Sequence, residues 1–149
     1  MMKKARIKDG PEIQRIINLY AKEGKMLQRP ILEIYENIRD FFVLRQGGKI
    51  SGVAALSICW DDLAELRSVA VIKSRLKKGL GKKLIQRCMK EAKELGIKKV
   101  FVLTYIPDYF MKFGFKEVDR AELPHKIWKD CVNCPKFPDC GEVPMVRII

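Results

Sequence analysis

At 149 residues the chain is about one domain's worth of protein, enough to close a single hydrophobic core. Hydrophobic residues make up 48% of it, which excludes a disordered chain, and no apolar run approaches the ~20 residues a membrane helix needs. Thirty Lys and Arg against 18 Asp and Glu leave a net charge of +12, which calls for an anionic partner, either a nucleic acid or a phosphorylated small molecule.

The basic residues are scattered apart from one turn, which favours the small molecule and makes nucleic acid the lesser expectation. The opening MMKKARIKDG has no apolar core of the kind a signal peptide carries, so a cytoplasmic protein with no membrane association is expected. Neither a composition break nor an internal repeat divides the chain. Residues 1–149 read as one domain.

In chain order, Lys3 to Ile7 is a short strand candidate. Asp9 stands as N-cap of a helix, with Glu12 three residues on as in a capping box. That helix runs to about Glu23 with Ile13, Ile16, Ile17 and Tyr20 on one face, and Gly24 ends it. Ile31 to Ile38 reads as a second short helix. Phe41 to Gln46 is a strand, Gly47-Gly48 a hairpin turn, and Ile50 to Trp60 the returning strand.

Leu63 to Ile72 is the central strand. A period of two places Glu65, Arg67, Val69 and Val71 on one face and Leu66, Ser68 and Ala70 on the other. A basic turn, Lys73 to Gly81, leads into a long helix. Its apolar stripe is Leu80, Leu84, Ile85, Cys88, Met89, Ala92 and Leu95, and Gly96 takes the C′ position. Lys98 to Thr104 is a strand of the fully buried kind. Pro107 to Phe113 reads as a short helix and Gly114 to Val118 as a strand. Residues 123–144 are irregular and cysteine-bearing, and Val143 to Ile149 closes the sheet. The order gives an α+β fold, a mixed and mostly antiparallel sheet flanked by helices.

A helix that opens on glycines leaves its first N–H groups and its positive dipole end exposed. Lys73, Arg75, Lys77, Lys78, Lys82 and Lys83 surround that end. A pyrophosphate is the natural guest there; an ordinary solvated turn is the alternative. The spacing matches neither the nucleoside-triphosphate loop nor the dinucleotide fingerprint.

Val69-Ala-Val71 followed by Gly79-Leu-Gly81-Lys-Lys-Leu84 resembles the acetyl-CoA-binding segment of the GNAT superfamily of N-acetyltransferases. The resemblance implies the GNAT acyl-CoA N-acyltransferase fold with acetyl-CoA as cosubstrate. The backbone of Val69, Ala70 and Val71 would pair with the pantetheine arm. The turn of Leu76, Lys77, Lys78, Gly79, Leu80, Gly81 and Lys82 would hold the CoA pyrophosphate. Leu76 replaces the Arg or Gln usual in that motif, and Lys77 stands where a glycine is common.

A narrower resemblance covers most of the chain. Val102-Leu-Thr-Tyr105, Tyr109-Phe-Met-Lys-Phe-Gly-Phe-Lys-Glu-Val-Asp119 and Leu123-Pro124, together with Ala64-Glu65 and Leu27-Gln-Arg29, are similar to the acetyltransferase domain of N-acetylglutamate synthases. The chain looks like a short stand-alone form without the amino-acid-kinase domain. This implies acetyl transfer from acetyl-CoA to the α-amine of an amino acid, L-glutamate or L-glutamine, at the first step of arginine biosynthesis. No metal is required for it.

Amide formation from a thioester needs a neutral amine, donors for an oxyanion and a proton for the leaving thiolate. By resemblance, the backbone N–H near Val69 is the oxyanion donor. Phe110 occupies the place of the usual GNAT tyrosine, leaving Tyr109, Tyr105 or water as proton donor. Glu65 is the candidate base, with a plain salt-bridged carboxylate as its alternative. Arg29 and Arg67, then Lys112, are candidate ligands of substrate carboxylates, with Tyr105 lining the same pocket.

Cys59 and Cys88 read as core residues. Cys131, Cys134 and Cys140, with His125 upstream, admit a structural zinc, a redox-sensitive pair or packed free thiols. Two other readings stay open: a GNAT enzyme acting on a protein N-terminus, polyamine or other small amine, and a nucleic-acid-binding regulatory module. A homodimer is compatible with any of them.

Overall fold

The computed structural model describes residues 2–75, 79–123 and 141–149. Among these, seven strands make one sheet: β1 (Met2–Lys4), β2 (Phe41–Gln46), β3 (Lys49–Ile58), β4 (Leu63–Val71), β5 (Lys99–Thr104), β6 (Lys116–Glu117) and β7 (Val143–Ile148), in the order β1-β2-β3-β4-β5-β7-β6. Every neighbouring pair is antiparallel except β4 and β5, which run parallel. Helices α1 (Gly10–Ala21), α2 (Ile31–Glu36), α3 (Leu80–Glu94) and α4 (Pro107–Met111) cover it. The mixed α+β architecture expected from the sequence is the one found.

Local chemistry accounts for the main joints. Gly47 and Gly48 adopt φ of 60° and 79°, the positive values a two-residue hairpin turn demands at both positions. α3 ends on Gly96 at φ 85°, where the Ile97 N–H reaches the Ala92 carbonyl and the Gly96 N–H that of Lys93. These are the two bonds of a Schellman cap. Leu95, expected in the buried stripe, sits outside it and is exposed.

At the start of α1 the expected capping box is not formed. Asp9 is the N-cap residue, but its carboxylate accepts from the Arg6 backbone N–H at 2.8 Å and pairs with Arg45 on β2. Glu12 turns instead to Arg15. A buried carboxylate needs a cation more than the helix needs a cap.

The sheet separates two main cores, and Leu63, Phe101, Leu123 and Val146 form a third, smaller cluster. On one face α3 packs Leu80, Leu84, Ile85, Cys88 and Met89 against Ala64, Leu66 and Val71 of β4, with Phe110 of α4 at the margin. On the other, α1 and α2 pack Ile13, Ile16, Ile17 and Ile34 against Val53, Ala55 and Ala70.

β4 does not keep the period of two assumed from its sequence. Its pairing with β3 passes from Arg67↔Ala55 to Ala70↔Val53, so Ser68 and Val69 face the single residue Ala54. Ser68 sits at φ 55°. This β-bulge reverses the alternation. Leu66, Val69 and Val71 therefore share the α3 face, while Ala70 turns to the α1 face. Leu66 was expected opposite Val69 and Val71; the extra residue at the bulge brings them together.

Candidate active site

The parallel pairing of β4 with β5 covers only Leu63↔Lys99, Ala64↔Val100 and Glu65↔Phe101. Beyond Glu65 the two strands part. The segment from Leu66 to Val71 keeps β3 on one side, and β5 continues with β7 on its own far side. A notch with strand backbone on its walls opens between them, flanked by Val69, Ala70 and Val71 on β4. An extended amide-bearing arm can add to such an edge as a short strand does.

α3 follows β4 in the chain. Its N-cap, Gly79, has φ 74°, and no side chain caps the helix. A Cβ at Gly79 would meet none of the described residues within 4 Å. Glycine is wanted here for its backbone angle and for the bareness it leaves around the N–H groups. The first turn carries no acidic residue. Leu80 is buried and anchors the turn from below, while Lys82 and Lys83 are exposed beside it. The arrangement fits a pyrophosphate on amides and the helix dipole. Leu76, Lys77 and Lys78 lie outside the described residues.

Tyr109, on α4, reaches this same turn. Its hydroxyl lies 2.6 Å from where a Cβ on Gly81 would be, so Gly81 is the residue that lets it approach. The ring is set edge-on to Phe110 and Phe113 at 5.3 and 5.2 Å. Burial pushes its phenol above the ordinary tyrosine value. The phenol therefore stays protonated through neutral pH, as a proton donor must.

On the opposite face of β4 lies a compact group of charges. Arg29 is only 4% exposed. Its Nε donates to Glu33 Oε1 at 3.0 Å, its Nη1 to Ser68 Oγ at 3.1 Å, and its guanidinium lies over the Phe41 ring at 5.0 Å. Desolvation, then the neighbouring Arg67, lower its pKa. Arg67 Nη2 is 3.7 Å from the same Glu33 oxygen, and its Nε is 3.5 Å from Glu65 Oε1. Glu65 is buried in β4 opposite Ser57, while Arg67 remains partly exposed.

Arg29, Arg67 and Glu65 are thus brought together, as candidate roles for them require. Glu33 and Ser68 complete the cluster and were not singled out from the sequence. For Glu33 a signal existed: it stands four residues after Arg29, with Pro30 opening the helix between them. For Ser68 none did, because a serine rarely adopts positive φ.

Lys112 is not part of this cluster. It is exposed at the end of α4 and lines a groove of about 750 Å³ with Lys82, Lys90 and Lys93 of α3 and Arg147 of β7. Tyr105 follows β5 and is half-buried beside Gly141. Cys88 is fully buried and its thiol is pushed up to about 12 by burial, which leaves it inert. Cys59, expected in the core, is half-buried. Pro124, His125, Cys131, Cys134 and Cys140 lie outside the described residues, and among those described no cluster of His, Cys, Asp and Glu could hold a metal. None of the described helices is long and apolar enough to cross a membrane.

A parted pair of parallel strands, a bulged β4 and a bare glycine-capped helix define an acyl-CoA-binding fold. The sequence signature of the acetyltransferase (GNAT) family matches residues 11–115, and the chain belongs to that family. It is 40% identical, over 99% of its length and 96% of the relative's, to an uncharacterised N-acetyltransferase of Chlorobaculum tepidum. It is 31% identical to an amino-acid acetyltransferase of Mycobacterium tuberculosis over 87% of this chain and 76% of that one.

Among solved structures, the acetyltransferase region of an N-acetylglutamate synthase from Neisseria gonorrhoeae, complexed with coenzyme A and N-acetyl-glutamate, superposes with a TM-score of 0.90 at 25% identity. The match covers 99% of this chain and 34% of that one. A Mycobacterium tuberculosis protein in complex with CoA and a further ligand gives 0.86 at 26% identity over 100% and 99%. The protein is an acetyl-CoA-dependent N-acetyltransferase of the GNAT type.

Proposed function

We propose that the acetyl acceptor is the α-amine of an amino acid, L-glutamate or L-glutamine, and that the protein works in the cytoplasm at the entry to arginine biosynthesis. The observation that carries this reading is the Arg29–Glu33–Arg67–Glu65 cluster. The cluster supports it because a guanidinium suits a carboxylate and a carboxylate suits an amine, and both stand on the strand beside the coenzyme notch. The relatives named amino-acid acetyltransferase support it.

The chain's own groups divide the work. Acetyl-CoA, when bound, supplies the activated acetyl group. The backbone of Val69, Ala70 and Val71 and the first turn of α3 orient it, and the N–H near Val69 is the donor toward the developing oxyanion. Glu65, directly or through a water, holds the proton that the incoming ammonium loses, so that the nitrogen attacks as a free amine. Arg67 grips the α-carboxylate. Tyr109 donates its phenolic proton to the departing sulfur.

Thiol release from acetyl-CoA, measured against the twenty amino acids, a polyamine and an N-terminal peptide, tests the reading. Selective turnover with glutamate or glutamine is expected, after subtraction of the protein's own thiols. Turnover with the peptide or polyamine alone would discard the amino-acid assignment and keep the family.

A further inference from the structure

We infer that Tyr20, a residue of α1 on the far face of the sheet, binds the coenzyme arm. Its hydroxyl takes up the Val71 carbonyl at the last residue of β4 and offers its own oxygen to the arm in that carbonyl's place. The inference rests on the placement of the arm along Val69 to Val71 proposed above, and it is independent of which amine is acetylated.

The direction of the Val71 backbone follows from the ladder. In an antiparallel pair, residues that exchange hydrogen bonds with the neighbouring strand alternate with residues whose N–H and C=O point away from it. The Ile72 N–H donates to the Ser51 carbonyl at 2.8 Å, so position 72 is of the first kind. Val71, one residue earlier and opposite Gly52, is of the second. The pairing of β4 with β5 ends at Glu65. The backbone groups of Val71 therefore face the notch.

Tyr20 comes to that edge from the other side. Its ring packs against the α1 core, and its hydroxyl donates to the Val71 carbonyl at 2.5 Å. Burial holds the phenol above the ordinary tyrosine value, against the pull of Lys25, so it remains a donor at neutral pH. Three residues on, Glu23 pairs with Lys73, where the basic turn begins. The end of α1 is thus fastened to both residues that flank Ile72.

A phenol both donates and accepts. With its proton committed to Val71, Tyr20 presents an acceptor to a ligand in the notch. An arm that adds to a strand edge brings amide N–H groups, and each of these needs an acceptor. At the last residue of the edge, Tyr20 Oη is the acceptor.

The test is NMR on protein labelled at the valine amides and at the hydroxyl-bearing carbon of the tyrosine rings, with signals assigned by single substitutions and CoA as the added ligand. The Tyr20 signal should move together with the Val71 amide. In Tyr20→Phe, CoA should bind about tenfold more weakly by calorimetry, because the ring remains in place and the arm loses one hydrogen bond.

A Val71 amide that moves while Tyr20 stays still overturns the inference and keeps the arm on the strand. If neither signal moves, the placement of the arm falls as well. Unchanged affinity in a folded Tyr20→Phe overturns the inference, and so does weaker affinity without movement of the Tyr20 signal, which would make the tyrosine a structural tie. Should Tyr20→Phe fail to fold, the two signals in the parent decide.

Discussion

The two halves of β4 are made of similar residues and do opposite things. From Leu63 to Glu65 the strand has a partner on each side, and these residues and Leu66 are buried. From Arg67 to Val71 it has β3 alone, a bulge at Ser68, and three consecutive half-buried residues. The first half is cross-linked into the sheet and holds Glu65 in place. The second half, freed from β5, leaves backbone on its edge and charges on its face, where the proposed function puts the coenzyme and the substrate. An enzyme of this size makes a site by leaving one strand unfinished.

The comparison can be broken from either end. Leu66→Ala deletes a core side chain that is 1% exposed, and unfolding free energy should drop by about 2–5 kcal/mol. Thermal unfolding and CoA titration on the folded fraction check it; unchanged stability with impaired catalysis would erase the distinction between the halves. Gly79→Glu should do the reverse. It places a carboxylate in front of bare amides, and CoA affinity should fall by about 100-fold or more, as repulsion and lost helix-terminus contacts combine. Its melting temperature should shift by only a few degrees, since a Cβ there meets none of the described residues and bears mainly the cost of positive φ.

Tyr109→Phe is the finest probe. A lost general acid should lower kcat by about 100-fold while the KM for acetyl-CoA stays within a few-fold. The sign of the pH effect follows from the raised phenol. The protonated form is the donor, so activity persists through neutral pH and falls only as pH rises past the ordinary tyrosine value near 10. That basic limb should vanish in the phenylalanine variant. A limb that survives there would hand the proton to water or Tyr105.

Much of this was legible in the chain. Gly47-Gly48 fixed the hairpin because two adjacent positive φ angles admit little else, and Gly96 marked the end of α3 for the same reason. What escaped was whatever depends on a residue acting against its type. Ser68 in the left-handed region inverted the faces of β4 beyond it. Asp9 left its helix for Arg45, because burial outweighed capping. Arg29 looked like a surface cation ready for a substrate and proved to be buried, its donors already engaged.

The position of β7 has a consequence for how the molecule comes into being. The strand lies between β5 and β6, both earlier in sequence, and β6 is attached to the sheet only through it. A nascent chain can therefore assemble β1 to β5 with their helices as it emerges. The 116–117 pair has no place to dock until residues 143–148 have been synthesised and threaded beside 99–104. A strand made later than both its neighbours is the keystone of that end of the sheet, so the order of translation and the order of assembly run against each other there.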